Sequence, residues 1–473
     1  MIEQPMAHNT EPATLVVGLG KTGLSCVRHL RSLGRRVTAV DSRSSPPALA
    51  DVCKEFPEVR VTLGGFSRQA FQNIGDIVVS PGVSLAEPAL ERARAAHIPV
   101  CGDIELFARA VGTTPVIAIT GSNGKSTVTT MVADMLRIDA RRVQVGGNLC
   151  VPALSLLEGE RPEVYVLELS SFQLETTDSL RPQVAALLNL SADHMDRYDS
   201  VEQYAAAKAR ILAGAGVMVL NRDDARVAAM ARDDADVIFY TLGIPGADEF
   251  GLRCAEEGDF LCLGETRIMA AGALTVAGSH NLANALAAMA IAGALGVSHD
   301  AMARALKAFR GLPHRCQLVA ETGGVRWFDD SKATNVGATV ASINGIASSQ
   351  ADGQADDDQV DGEADGEAGA LILIAGGDAK GADFSALEEP LRRHVRLAVL
   401  IGRDAERIAA VADGVADWVR ADGMANAVDI AHARARSGDT VLLAPACASF
   451  DMYANYEARG DAFAAEVRRV LAQ

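Results

Sequence analysis

Three times along this chain an apolar strand runs into a glycine-bearing turn and then into a helix, and that repetition leaves few folds open. The first series has strands at 14–17, 37–40 and 76–80, the last stopping at Pro81-Gly82. The second begins near Thr114, with strands at 116–119, 165–169 and 184–188 and a helix over 126–136. The third follows GLPHR at 311–315, with strands at 371–374, 398–401 and 440–443. Strands alternating with helices predict mostly parallel sheets covered on both faces, an α/β class. A chain of 473 residues exceeds one ordinary core. Three domains are expected, over 1–110, 111–312 and 313–473. Ligands of such sheets bind beyond the carboxyl ends of the strands, so the polar residues there are the candidates for chemistry.

Composition narrows the partners. A net charge of −17 and 4% aromatic residues argue against nucleic acid, which requires a basic face and stacking rings. No apolar run approaches the roughly 20 residues of a membrane helix. The stretch from Met1 to Pro12 is polar and lacks the pattern of a secretory signal. The eight cysteines are scattered without a C-x-x-C pair, which fits reduced thiols and a cytoplasmic protein. Residues 347–369 are acidic, lack aromatics and are expected to form a mobile loop.

The strongest motif is TGSNGKST at 120–127, between a strand and a helix. Glycines turn backbone N–H groups toward an anion, and the helix N-terminus favours negative charge. Lys125 is placed to reach the outer phosphates, and Ser126 or Thr127 to hold magnesium. Ile119 stands where the common phosphate loop has its first glycine. In ELSSFQLE, Glu168 lies in an apolar strand, where burial requires a counter-charge, either magnesium or a structural arginine. NLSADHMDRY at 189–198 offers His194, Asp193 and Asp196 to a metal or phosphate, unless His194 is a satisfied hydrogen-bonding residue. WFDDSKATN at 327–335, GGDAK at 376–380 and PACASF at 445–450 are polar strand ends. Finally, GLGKTG at 18–23 with Asp41 after the next strand fits a diphosphate cradle with a carboxylate on a ribose hydroxyl. That spacing serves NAD and a UDP-sugar equally.

Taken together, TGSNGKST, ELSSFQLE, DHMDRY, LPHR at 312–315, DDSKATN at 329–335 and PACASFD at 445–451 resemble the Mur ligases from about residue 13 to the end, the acidic stretch excepted. The resemblance implies an N-terminal Rossmann-like domain for UDP, a central P-loop-type ATPase domain and a C-terminal Rossmann-like domain for an amino acid. It implies ATP-dependent joining of D-glutamate to UDP-N-acetylmuramoyl-L-alanine through an acyl phosphate, in peptidoglycan precursor synthesis. Matching positions place Gly20, Lys21, Thr22, Asp41, Ser42, Arg43, Gly82 and Asn148 around the UDP substrate. Gly121, Ser122, Asn123, Gly124, Lys125, Ser126, Thr127, Asn281, Arg315 and Asp330 are implied for ATP. Lys332, Thr334, Lys380, Ser449 and Phe450 are implied for D-glutamate. Ser126, Glu168, His194 and a carbamylated Lys208 are implied for two magnesium ions. Lys125, His194, Lys208, Arg315 and Lys332 are the implied catalytic set. Lys21 and Phe450 depart from residues common at those positions. A monomer without a transmembrane segment is expected. Rival readings are a sibling ligase, including folylpolyglutamate synthase, an NAD-dependent dehydrogenase and a non-catalytic nucleotide-binding module.

Overall fold

The computed structural model describes residues 12–149, 151–232, 235–276, 278–354 and 370–472. They form three sheets of five, nine and six strands, with helices packed against them. In the first sheet the order is Arg60–Leu63, Val37–Asp41, Ala13–Val17, Ile74–Val79, Val100–Gly102, and every neighbouring pair is parallel. A parallel sheet covered on both faces needs apolar side chains on both, and Ala13–Val17 is buried throughout. Its one polar residue, Thr14, donates to Asp76 at 3.0 Å. The helix Lys21–Ser32 crosses close to the strand end, where a Cβ on Gly23 would lie 2.0 Å from the Gly18 carbonyl oxygen. Only glycine fits there, as the third glycine of a diphosphate turn requires.

The second sheet carries Val116–Thr120 between Val184–Leu187 and Val164–Glu168. The 120–127 loop therefore emerges flanked by Glu168 on one side and Asn189 on the other. Helices Lys125–Ile138, Ser279–Gly293 and His299–Ala308 share one core through Val128, Met131, Leu286, Met289 and Met302. This sheet also holds Val217–Asn221, Asp236–Tyr240 and an antiparallel meander, Phe250–Ala255, Gly258–Leu263 and Thr266–Ala270, absent from the sequence reading. The third sheet runs Gln317–Thr322, Val325–Asp329, Thr440–Leu443, Leu371–Gly376, Val395–Ile401, Asp417–Arg420, antiparallel at its first pair and parallel beyond.

Specific bonds join the three units. Gln173 donates to the buried carboxylate of Asp103 at 3.0 Å, and Glu105 accepts from the backbone of Asp178 and Ser179 at 2.7 and 2.8 Å. Asn335 donates to Asn123 at 3.2 Å and to Asp193 at 3.1 Å, tying the third unit to the second.

The loop expected over 347–369 is corrected at its start: helix Val336–Gln354 continues through 347–354. A helix satisfies its backbone internally, so alanine- and glutamine-containing sequence prolongs it without needing a core. The rest of that stretch, and the N-terminal segment as far as Glu11, lie outside the described residues. Among the described residues every cysteine is a free thiol, and no helix is long and apolar enough to cross a membrane.

Candidate active site

The 120–127 loop is held before any ligand arrives. Gly124 adopts φ +80°, and a Cβ there would lie 2.3 Å from the Asn284 side-chain oxygen. Asn189 accepts from the Asn123 N–H at 2.8 Å, and Ser122 donates to the Ser191 carbonyl at 3.0 Å. The Lys125 ammonium donates to the carbonyls of Gly121 and Ser122, both at 2.8 Å. Burial pushes its pKa down.

Ser126, first in the helix after Lys125, donates to Glu168 at 2.6 Å and accepts from Arg315 at 2.8 Å. Asn148 donates to the other Glu168 oxygen at 2.7 Å. Burial raises the Glu168 pKa, but the Lys125 charge, these two hydrogen bonds and Arg315 outweigh it and hold the carboxylate ionised. Of the two partners left open by the sequence, no arginine among the described residues bonds Glu168 directly; Arg315 reaches it through Ser126.

Lys208 is 2% exposed, on helix Val201–Ala209. Its ammonium meets the Gly121 carbonyl at 2.8 Å and the Thr120 hydroxyl at 3.3 Å, above the Tyr204 ring. Burial, reinforced by Lys125, drives its pKa far down and disfavours the charged form. His194 sits at φ +57°, its imidazole 4.7 Å from the Phe172 ring. Burial lowers its pKa as well.

Three cavities surround these groups. The largest, about 820 Å³, is lined by Gly20, Lys21, Thr22, Asp41, Ser42, Arg43, Gly82 and Asn148, which gathers the whole set matched to the UDP substrate. A second, about 350 Å³, takes Asn123, Gly124, Thr127, Asn281, Arg315 and Asp330. The third, about 450 Å³, takes Ser122, Lys125, His194 and Lys208 together with Lys332, Thr334, Lys380, Ser449 and Phe450. Gly121 lines none of them and contributes its carbonyl to Lys125 and Lys208. Lys332 borders all three cavities, while Ser126, Glu168 and Asn148 are shared by the first and third.

Among the described residues, eight non-glycine positions have positive φ, and five of them (His194, His314, Cys316, Lys380 and Ala446) lie in segments that build this junction. Left-handed backbone in residues other than glycine clusters where geometry is constrained for function.

Electrostatics follow from burial. Lys332 is pushed down to about 8, first by burial and then by Arg315, with its ammonium 3.8 Å from the Tyr456 ring centroid. Asp330 is pushed up to about 6 by burial. The Asp41 carboxylate accepts from the Leu19 N–H at 2.7 Å and from the Arg43 guanidinium at 2.7 and 2.9 Å in the cavity wall. Burial would raise Asp41, yet these bonds hold it at about 2. Arg43 and Asp41 both line the cavity, Arg43 as the more exposed of the pair.

Several lining residues had no assigned role in the sequence reading: Phe172, His280, Tyr456 and Glu457. Asp193, read from the sequence as a metal or phosphate contact, lines the third cavity with His194, and Phe172 lies inside a quoted motif. Tyr456 follows the N-cap Asn455 of helix Tyr456–Leu471, and nothing in the local sequence marks it.

Residues 12–102 match the profile described as Mur ligase MurD-like, N-terminal domain, and residues 119–292 that of the Mur ligase middle domain. The chain is similar to the UDP-N-acetylmuramoylalanine--D-glutamate ligase of Nitrosococcus oceani, 50% identical over 471 residues that span 100% of each chain. It is also similar to the enzyme of that name from Pseudomonas syringae, 47% identical over 453 residues, 96% of this chain and 97% of that one. Among solved structures, UDP-N-acetylmuramate-alanine ligase from Thermotoga maritima aligns over 98% of this chain and 99% of its own with a TM-score of 0.60. At 17% identity that likeness concerns the fold alone.

Proposed function

The chain belongs to the Mur ligase family, and we propose that it uses ATP to join D-glutamate to the alanyl carboxylate of UDP-N-acetylmuramoyl-L-alanine. The observation that carries this reading is the meeting of three cavities at Lys332, one for each substrate the reaction needs. In this reading residues 1–110 bind the UDP substrate, 111–312 bind ATP and 313–473 bind D-glutamate. ATP and a UDP-linked precursor assign the reaction to the cytoplasm, and one chain supplies every group, so a monomer suffices.

A carboxylate is a poor electrophile, so the γ-phosphoryl group is first transferred to it, giving an acyl phosphate and ADP. Lys125 exchanges its two carbonyl partners for phosphate oxygens, and Arg315 faces the same charge from the other side. Asn148, at the junction of the first and third cavities, orients the acceptor carboxylate beside Glu168. Lys332 and Lys380 draw in the carboxylates of D-glutamate, and Ser449 and Thr334 give its orientation. The neutral amine then attacks the acyl carbon, and the tetrahedral intermediate expels phosphate to leave the amide. Arg43, braced by Asp41, holds the UDP end.

Glu168 and Ser126 fit a magnesium site: the carboxylate is buried and ionised, with a hydroxyl 2.6 Å away. Among the described residues no cluster of three or more acidic, histidine or cysteine side chains forms a metal cage, which suits an ion held chiefly by substrate phosphates and water. Magnesium would neutralise phosphate charge, one ion at Ser126 and Glu168 and a second at His194 and a carbamylated Lys208. For the carbamate, the neutral Lys208 amine attacks carbon dioxide, forming an N–C bond and releasing one proton. Its depressed basicity supports this, and a carbamate resonance after addition of 13C-bicarbonate, absent from Lys208→Ala, would test it.

Phosphate release with UDP-N-acetylmuramoyl-L-alanine tests the whole. Release with D-glutamate alone among D-glutamate, L-glutamate, L-alanine, L-lysine and meso-diaminopimelate, with the matching mass gain, is expected. Release with another amino acid would reassign the substrate.

A further inference from the structure

Arg197 lines none of the three cavities but lies between two of them. Its side chain is 12% exposed. One guanidinium nitrogen donates to the Pro81 carbonyl at 2.9 Å, and another to Glu175 at 2.9 Å. The guanidinium carbon stands 4.0 Å from the centre of the Phe172 ring. Pro81 and Gly82 form a wall of the UDP cavity, in the first unit. Phe172 and His194 line the third cavity, in the second unit. A single side chain thus grips both.

The contact continues as a column of rings. Phe172 meets the His194 imidazole at 4.7 Å and 65°, and stacks on Tyr198 at 6.0 Å and 19°. Tyr198 meets Tyr204 edge-on at 5.4 Å, and the Lys208 ammonium lies 4.7 Å from the Tyr204 ring centre. Close-packed interiors transmit strain, so displacement of Pro81 relative to Phe172 bears on His194, which Phe172 contacts.

We propose that Arg197 is a positioning residue that fixes the Pro81-Gly82 wall of the acceptor cavity relative to His194, so that the acceptor carboxylate meets the phosphoryl donor in line. The proposal rests on the ligase reading above. It uses what arginine alone offers: a planar fork that serves two acceptors while stacking on a ring. Glu175 holds the fork in the plane that reaches Pro81.

The experiment compares Arg197→Met, Arg197→Lys and Glu175→Gln with the wild-type full chain, measuring kcat, the KM of each substrate and Tm. Misalignment by about 1 Å costs up to about a hundredfold, so Arg197→Met is expected to lower kcat about ten- to a hundredfold. KM for the UDP substrate should rise while KM for ATP stays within about twofold, since the 120–127 loop keeps its bonds to Asn189 and Ser191, neither of which touches Arg197. Arg197→Lys should resemble Arg197→Met more than wild type, because one ammonium does not reproduce the fork. Glu175→Gln, which keeps the shape and removes one charge, should show the same split on a smaller scale, and it carries the test if Arg197→Met does not fold. Unchanged constants in Arg197→Met, or in Glu175→Gln when it stands in, overturn the proposal. So does a parallel rise in all three KM values with a fallen Tm, which is the signature of a merely structural role. A wild-type enzyme that releases no phosphate would sink the ligase reading instead, a result distinct from a variant that matches an active wild type.

Discussion

The Arg315 guanidinium donates to the Ser126 hydroxyl at 2.8 Å, although the two residues stand 189 positions apart. Ser126 passes the contact on to Glu168, so a cation from the segment entering the third sheet is set against the carboxylate of the second. The backbone on either side is left-handed, at φ +58° for His314 and +44° for Cys316. His314 is pinned by Asp329 at 2.7 Å. The strained segment is thereby fixed, and Arg315 with it.

Removing that cation is expected to be costly for the phosphoryl step. Arg315→Ala should lower kcat/KM for ATP by about 10²–10³-fold, the range seen when one preorganised charge stabiliser is lost. The double variant with Ser126→Ala should lose less than the product of the two single losses, since the residues act as one unit. Steady-state kinetics decide this, and full additivity would separate the two roles.

Glu168→Gln keeps the shape but removes one acceptor oxygen and the charge that a divalent cation requires. The magnesium concentration for half-maximal activity is expected to rise about ten- to a hundredfold. A magnesium titration that superimposes on wild type would dissociate Glu168 from the metal.

Lys332 gives the pH dependence. Its ammonium is held at about 8 by burial and Arg315, so the charged form prevails below that pH and is lost above it. If it receives a carboxylate of D-glutamate, kcat/KM for D-glutamate should carry a descending limb near pH 8. Lys332→Arg keeps its charge throughout and should shift that limb upward or remove it. The depressed folded pKa also makes protonation destabilising, so the Lys332 contribution to folding improves as pH rises from about 8 toward the ordinary lysine value of roughly 10.4. A limb that stays in place in Lys332→Arg belongs to another group.

Gly23→Ala puts a methyl 2.0 Å from the Gly18 carbonyl, a backbone atom without room to retreat. Destabilisation of the first unit by about 1–3 kcal/mol is expected from overpacking of this kind. Weakened binding of the UDP substrate should accompany it, with ATP binding retained. Denaturant melts and calorimetry would register both.

Much of this was legible because the informative residues sit at strand ends in contiguous motifs. TGSNGKST, ELSSFQLE and DDSKATN each occupy one turn, and sheet topology alone brings such turns to one edge. Lys208 was harder. AAKAR reads as an exposed helix face, yet Tyr204 and Lys208 share one face four residues apart and both are buried. The meander over 250–270 escaped because charged residues such as Arg253, Asp259 and Arg267 interrupt its apolar runs. The pairing of Arg43 with Asp41 is a side-chain choice that spacing does not encode. The continuation of helix Val336–Gln354 into the acidic stretch shows composition failing at a boundary, since a helix tolerates sequence that no core would accept.

The Lys125 ammonium, already bonded to Gly121 and Ser122, changes the thermodynamic character of nucleotide capture. If Lys125 takes the outer phosphates as proposed, the guest takes the place of two internal acceptors in a loop already braced by Asn189 and Ser191. Recognition is then a swap of partners, with little ordering entropy lost and a heat-capacity change set by the ligand's own buried surface.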